Sequence, residues 1–175
     1  MVFCAAFQVD ENDQPCVSAD GSAAVAHARA AGKVFWLDGT SGLWHAAEGL
    51  PANSRSKLVA DNFTPGRFLI AGSPARESTD GGRTWHPLKG LEKIGMTCGL
   101  AADAATPGLF AAVGYDAIYV SRDGAKTFTL LPGAFETVPS SLNRTIYLDR
   151  GRLYFLTTGT GVWVRSVCAD GIPLK

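Results

Sequence analysis

The sequence predicts an all-β fold of β-propeller type with about four four-stranded blades, a partial or small propeller. Three observations predict it. First, an eight-residue pattern occurs twice, at Ser78-Thr79-Asp80-Gly81-Gly82-Arg83-Thr84-Trp85 and at Ser121-Arg122-Asp123-Gly124-Ala125-Lys126-Thr127-Phe128, 43 residues apart. Second, each copy follows a strand, turn, strand sequence, with the turns Thr64-Pro65-Gly66 and Thr106-Pro107-Gly108 offset by 42 residues. Third, the apolar runs are short, rich in Val, Ile, Phe and Tyr, and bounded by Gly or Asp, as strands are. A period of this size suits one propeller blade.

Four blade-sized units follow along a single domain, at about 17–50, 55–91, 96–133 and 139–168. The first starts at Val17-Ser18-Ala19-Asp20-Gly21-Ser22 and continues through Val34-Phe35-Trp36-Leu37-Asp38 to Gly42-Leu43-Trp44-His45. Its Asp38-Gly39-Thr40-Ser41 looks like a shortened form of the repeated turn. Ala23–Ala31 is rich in the best helix former, but His27 and Arg29 alternate with alanines, and this period of two predicts a strand. In the second and third units, Pro presets φ at the corner and Gly accepts the angles that follow. Asp80 and Asp123 are placed to accept bonds from turn amides, with Gly free to turn left-handed. Trp85 and Phe128 close their hairpins as apolar plugs. The fourth unit has strands at Ser141–Leu148 and Gly151–Thr157, then Gly159-Thr160-Gly161 and Val162-Trp163-Val164-Arg165, without the repeated turn.

Bulk composition excludes several classes. At 175 residues the chain can bury its own core. Lys plus Arg balance Asp plus Glu at 16 each, so no nucleic-acid groove is expected. With 20 Gly and 9 Pro, and only 18% charged residues, the chain reads as turn-rich β structure rather than a bundle or a disordered tail. No apolar run approaches the ~20 residues of a membrane-spanning helix, so no membrane partner is expected. Met1–Phe7 is apolar but lacks the basic region of a signal peptide; the chain either stays in the cell or is a piece whose export signal lies elsewhere. Cys4, Cys16, Cys98 and Cys168 show no metal-ligand spacing. Cys4 and Cys168 fall in terminal strands, which a propeller brings together. With no Gly-rich phosphate loop either, neither cofactor nor metal is expected. Asn62-Phe63-Thr64 and Asn143-Arg144-Thr145 are formal glycosylation acceptors.

The repeated Ser-x-Asp-Gly-x-x-Thr-aromatic pattern resembles the Asp-box, or BNR repeat, of sialidase-like propellers. The order Val17-x-Ala19-Asp20-Gly21-Ser22, Gly49-Leu50-Pro51, a Pro turn, then Ser78-Thr79-Asp80-Gly81-Gly82-x-Thr84-Trp85 is similar to the C-terminal propeller of glycoside hydrolase family seventy-four xyloglucanases. The likeness runs through about Val17–Phe128, with Thr158–Val164 similar to a closing strand. It implies a portion of a larger propeller, a polysaccharide of β-glucan or xyloglucan class as ligand, and an extracellular setting. The family's two catalytic aspartates come one from each of two propellers. The Asp-x-Gly-Gly-x-Tyr-Arg context of the first is absent here, and so is the Asp-Pro strand of the second. Neither role can be carried over.

Candidate residues therefore divide by repeat position. Ser78, Asp80, Gly82, Trp85, Ser121, Asp123, Gly124 and Phe128 read as scaffold residues of the two boxes. Asp61 and Asp103 hold equivalent positions and read the same way. Asp116, which has no repeat mate, is the weak catalytic candidate. Trp36, Trp44 and Trp163, with Tyr115, are the candidate sugar platforms, because a flat apolar sugar face suits an aromatic ring; for the tryptophans the competing reading is core packing. His27, His45 and His86 are isolated from any nucleophile elbow. The leading expectation is a glycan-binding module, catalytically incomplete alone. Two alternatives are a protein-binding propeller of assembly-factor or sortilin type, with self-association completing a ring, and a small self-contained glycosidase.

Overall fold

The structure, a computed structural model, describes residues 14–28, 32–51, 57–115, 117–133, 145–157 and 161–167. It is nearly all-β. Four antiparallel sheets follow in chain order. The first is β1 (Gln14–Val17), β2 (Ala24–Ala28), β3 (Lys33–Leu37) and β4 (Trp44–Ala46). The second is β5 (Leu58–Ala60), β6 (Phe68–Ile70), β7 (Arg76–Ser78) and β8 (His86–Pro87). A 3-10 segment, Lys89–Ile94, leads to the third: β9 (Gly99–Ala102), β10 (Phe110–Val113), β11 (Ile118–Ser121) and β12 (Thr129–Leu130). The fourth has three strands among the described residues: β13 (Thr145–Asp149), β14 (Arg152–Thr157) and β15 (Gly161–Ser166). Each sheet is an up-and-down meander, the form of a propeller blade.

The chain divides into two compact units, residues 1–72 with 76–87, and residues 73–75 with 88–175. In the first unit, Val25 and Val34 of the first sheet meet Leu58, Phe68, Ile70 and Trp85 of the second. Each such side chain contributes roughly 1.5–3 kcal/mol when fully buried. In the second unit, Ala101, Ala111, Val113, Ile118 and Val120 of the third sheet meet Ile146, Leu148, Leu153 and Phe155 of the fourth. Strand alternation explains the selection: the register pairs Ala111 with Ala101 and Val120 in one row, and Ile146 with Phe155 in another.

The region 24–28 is a strand, but its alternation does not separate an exposed face from a buried one. His27 shares a face with Val25 and Val34, which pack on the second sheet, and Ala26 and Ala28 on the other face are buried as well. The alanines let neighbouring side chains close over both faces.

The strand-joining turns repeat closely. The Asp61 amide donates to the Arg67 carbonyl, and the Asp103 amide to the Leu109 carbonyl, each at 3.0 Å. Gly66 and Gly108 turn left-handed, at φ 69° and 73°. Their carbonyls accept from the amides of Gly81 and Gly124 at 2.9 and 3.0 Å. In each of these sheets, therefore, the Thr-Pro-Gly turn is fastened to the Ser-x-Asp-Gly loop.

Candidate functional site

The two Ser-x-Asp-Gly loops join the third and fourth strands of their sheets. Ser78 and Ser121 are buried at the strand ends, while Asp80 and Asp123 are exposed. Ser78 Oγ donates to Asp80 Oδ1 at 2.8 Å and accepts from the Gly82 amide at 2.9 Å. Ser121 does the same with Asp123 and the Ala125 amide, at 2.8 and 2.9 Å. The Thr84 and Thr127 hydroxyls donate to the second oxygens of the same aspartates at 2.6 Å. The Thr127 hydroxyl and then its amide lead the contacts that hold the Asp123 carboxyl at about 2. Burial pushes Asp80 upward, but Thr84, Ser78 and the Arg83 amide outweigh it and leave the carboxyl below its ordinary value. Such acids stay ionised and spend their lone pairs on the turn. Trp85 plugs the first unit's core, and its indole donates to the Gly82 carbonyl at 2.9 Å. Phe128 is only half-buried.

Two repeating features are less visible in the sequence. Ser18-Ala19-Asp20-Gly21 has the same four-residue start as the loops, and Ser18 Oγ donates to Asp20 Oδ1 at 2.7 Å. This copy sits in the β1–β2 hairpin rather than between third and fourth strands, so its eight-residue form is absent. The other feature lies between blades. Glu48 pairs with Thr84, donating to the Arg83 carbonyl at 2.9 Å and accepting from the Trp85 amide at 3.0 Å. The adjoining Gly49 lies so close to the Trp85 carbonyl that a Cβ has no room. Gly90 plays the same part in the second unit, where a Cβ would stand 2.5 Å from the Ala125 carbonyl oxygen. Each connector thus grips the following loop. The signal is the parallel of Trp44 to Gly49-Leu50 with Trp85 to Gly90-Leu91.

Several further acids among the described residues are also committed. Asp38 accepts from the Ser41 hydroxyl at 2.6 Å and the Thr40 amide at 3.0 Å, which lower its carboxyl. Asp20 is held at about 2 by Ser18 and Ser22. Asp61 is joined to Arg67 at 3.1 Å, and Arg67 reaches Glu77 at 2.8 Å. Asp103 is 1% exposed. Burial pushes its carboxyl up, but the amides of Gly151, Ala105, Thr106 and Arg150 more than offset this. The Gly151 and Arg150 bonds, at 2.7 and 3.2 Å, tie the third sheet to the β13–β14 turn. Asp116 lies outside the described residues.

The aromatic candidates separate clearly. Trp36 is half-buried, with His45 stacked on it at 4.9 Å and the Arg83 guanidinium 4.6 Å from its ring centroid. Its π-surface is therefore occupied by protein. Trp44 is half-buried on β4. Trp163 on β15 is 52% exposed and Tyr115 in the β10–β11 turn is 69% exposed, the most exposed rings of the set. No group of three or more His, Cys, Asp or Glu among the described residues is placed to hold a metal. Burial pushes the Cys16 thiol up, and neither Cys16 nor Cys98 forms a disulfide. Cys4 and Cys168 lie outside the described residues. No described helix is long and apolar enough to cross a membrane.

Comparison with known proteins agrees with the architecture. No family model and no curated protein matches the sequence. Among solved structures, the GH74 enzyme of Niastella koreensis superposes with TM-score 0.62 at 17% identity, over 86% of this chain and 22% of that one. An ancestral GH74 enzyme gives 0.60 at 12% identity, over 83% of this chain and 21% of its own. U3-55K gives 0.52 at 12% identity, over 87% and 50%. The chain thus spans about a fifth of the length of these two GH74 chains. At these identities the likeness is one of fold, and the chain is a propeller-type module.

Proposed function

We propose that this chain is a propeller module of Asp-box type that binds a polysaccharide of β-glucan or xyloglucan class and does not hydrolyse it alone. The observation that carries the reading is the commitment of five aspartates to turn donors. Glycoside hydrolysis uses two carboxyl groups roughly 5–10 Å apart, one of them with a raised pKa to protonate the leaving group. Here the carboxyls of Asp20, Asp38, Asp80, Asp103 and Asp123 are held below their ordinary values by turn donors. The glycan class is supported by the fold likeness to GH74 enzymes and by the exposure of Trp163 and Tyr115. An exposed ring on a sheet edge offers a sugar face a flat apolar surface with little ordering cost.

The test is calorimetric titration of the purified chain with xyloglucan and β-glucan oligosaccharides, together with a reducing-sugar assay. Binding without turnover is expected, weakened at least tenfold by Trp163→Ala or Tyr115→Ala. Absence of binding to both glucan classes refutes the ligand. Turnover by the chain refutes the non-hydrolytic reading and assigns it as a self-contained glycosidase.

A further inference from the structure

Across the open face of the fourth sheet the side chains change character from row to row. Leu156 lies opposite Val162. The next row is Tyr147, Tyr154 and Val164, and the one after it is Asp149, Arg152 and Ser166. Leu148 and Leu153, between these two rows, point the other way into the core of the second unit. Tyr147 is 61% exposed, Tyr154 is half-buried, and Asp149, Arg152 and Ser166 are exposed. Two residues of strand rise put the aromatic row about 7 Å from the charged one. Asp149 stands directly opposite Arg152, yet no ion pair joins them among the described residues.

The third sheet shows how a face that receives another sheet is furnished. There the row Ala101, Ala111 and Val120 is small, apolar and buried, and the fourth sheet packs on it. Two tyrosines and a charged couple make a different surface. A covering sheet would take the carboxylate and guanidinium out of water, which is costly unless each finds a partner. A ligand that brings its own donors and acceptors avoids that cost. The couple also sets the ligand's charge, because an anion on this face meets Asp149 and a cation meets Arg152. A neutral, hydroxyl-rich ligand fits both. A carboxylate accepts from neighbouring hydroxyls, and a guanidinium fork donates to their oxygens. The apolar C–H face of a pyranose ring suits the flat tyrosine rings beside them.

We propose that this face is a binding platform for a neutral pyranose chain: Tyr147 and Tyr154 seat a sugar ring, and Asp149 and Arg152 hold the hydroxyls at its edge. The platform is distinct from the surface of Trp163, which lies on the other face of β15 from Val164. Its ligand class follows from this face alone and extends the proposed function to a second place on the chain.

Site-resolved NMR titration of the nitrogen-labelled full chain tests it, with cellohexaose and mannohexaose as neutral probes and oligogalacturonate as the acidic one. At least one neutral probe is expected to shift the amides of Tyr147, Arg152 and Val164 saturably, and more tightly than the acidic probe. Tyr147→Ala should raise the Kd read at Arg152 and Val164 at least tenfold; the site is mostly exposed, and should circular dichroism show this variant unfolded, Tyr147→Leu keeps an apolar side chain without the flat ring. Asp149→Asn should weaken the neutral probes and admit oligogalacturonate. No saturable shift at these amides with either neutral probe overturns the proposal. So does an unchanged Kd in the Tyr147 variant, and so does tighter binding of the acidic probe to the wild type. Unaltered discrimination in Asp149→Asn removes the role of that carboxylate. Cellohexaose shifts confined to Trp163 and Tyr115 overturn this inference and leave the proposed function standing; mannohexaose binding at Tyr147 with no response to either glucan does the reverse.

Discussion

Gly82 and Ala125 occupy the same loop position in successive repeats, and both carry left-handed backbones, at φ 91° and 66°. Exchanging them should give opposite results. In Gly82→Ala the new methyl meets Val25 Cγ2 inside van der Waals contact and Trp36 Cβ at 3.5 Å. Strain of about 1–2 kcal/mol for an L-residue at positive φ adds to about 1–3 kcal/mol for overpacking a core. The expected loss is about 2–5 kcal/mol, or on the order of 5–15 °C in melting temperature for a chain of this size. Ala125→Gly removes similar strain and loses one buried methyl of about 0.8 kcal/mol, so the variant should lie between neutral and about 1 kcal/mol more stable. Urea titration and thermal melts of both variants read this directly. A Gly82→Ala chain as stable as wild type would refute the close-approach argument. A loss above about 2 kcal/mol in Ala125→Gly would mean that its methyl, not its backbone, fixes the loop.

Three further outcomes follow from the same geometry. Asp103→Ala strands the buried amide of Gly151 and removes the part-buried bonds of Arg150, Ala105 and Thr106. Since one unsatisfied buried group costs about 1–3 kcal/mol, the variant should lose about that much, and hydrogen exchange should quicken at Gly151; unchanged protection there contradicts the tie. Gly49→Ala should destabilise the first unit more than Gly39→Ala, whose Cβ meets nothing within 4 Å, and equal melting temperatures would remove the role of the connector. Acid should destabilise the fold in a defined window. The carboxyls of Asp123, at about 2, and of Asp80 and Asp103 are depressed in the folded chain, so the unfolded chain takes up protons first as pH falls. Their stabilisation is complete above the unfolded value of about 4 and drains away as pH drops toward 2. A melting temperature flat between pH 5 and 2.5 would contradict it, and Asp123→Asn should reduce the slope.

The loops were legible in the sequence because their bonds are local. Ser78, Asp80, Gly82 and Thr84 all bond within four residues of one another, so residue type and spacing carry the whole geometry. The blade period was legible for the same reason, through the matching turns at Gly66 and Gly108. The connector glycines were not, since the constraint on Gly49 comes from Trp85 in the next blade. Trp36 illustrates the same limit: an indole in a strand reads equally as a sugar platform or as core, and the distant Arg83 decides that its ring is covered. His27 shows a further limit: alternation gives it a face but not which face is the core, and it shares the face of Val25 and Val34 that packs on the second sheet.

In the two repeats whose connector reaches the following loop, the closing aromatic and the glycine stand five positions apart, Trp44 to Gly49 and Trp85 to Gly90; Phe128 to Gly133 keeps the spacing without the close approach. The repeat length itself drifts, from 41 residues between Trp44 and Trp85 to 43 between Trp85 and Phe128. That short stretch acts as a ruler, delivering a glycine to the next loop at a set reach. Insertions inside it would carry the glycine past its target, whereas length changes elsewhere leave the measure intact. Lineages of this chain should accordingly accumulate indels everywhere but there, and a tag or graft placed there should be the one the fold rejects.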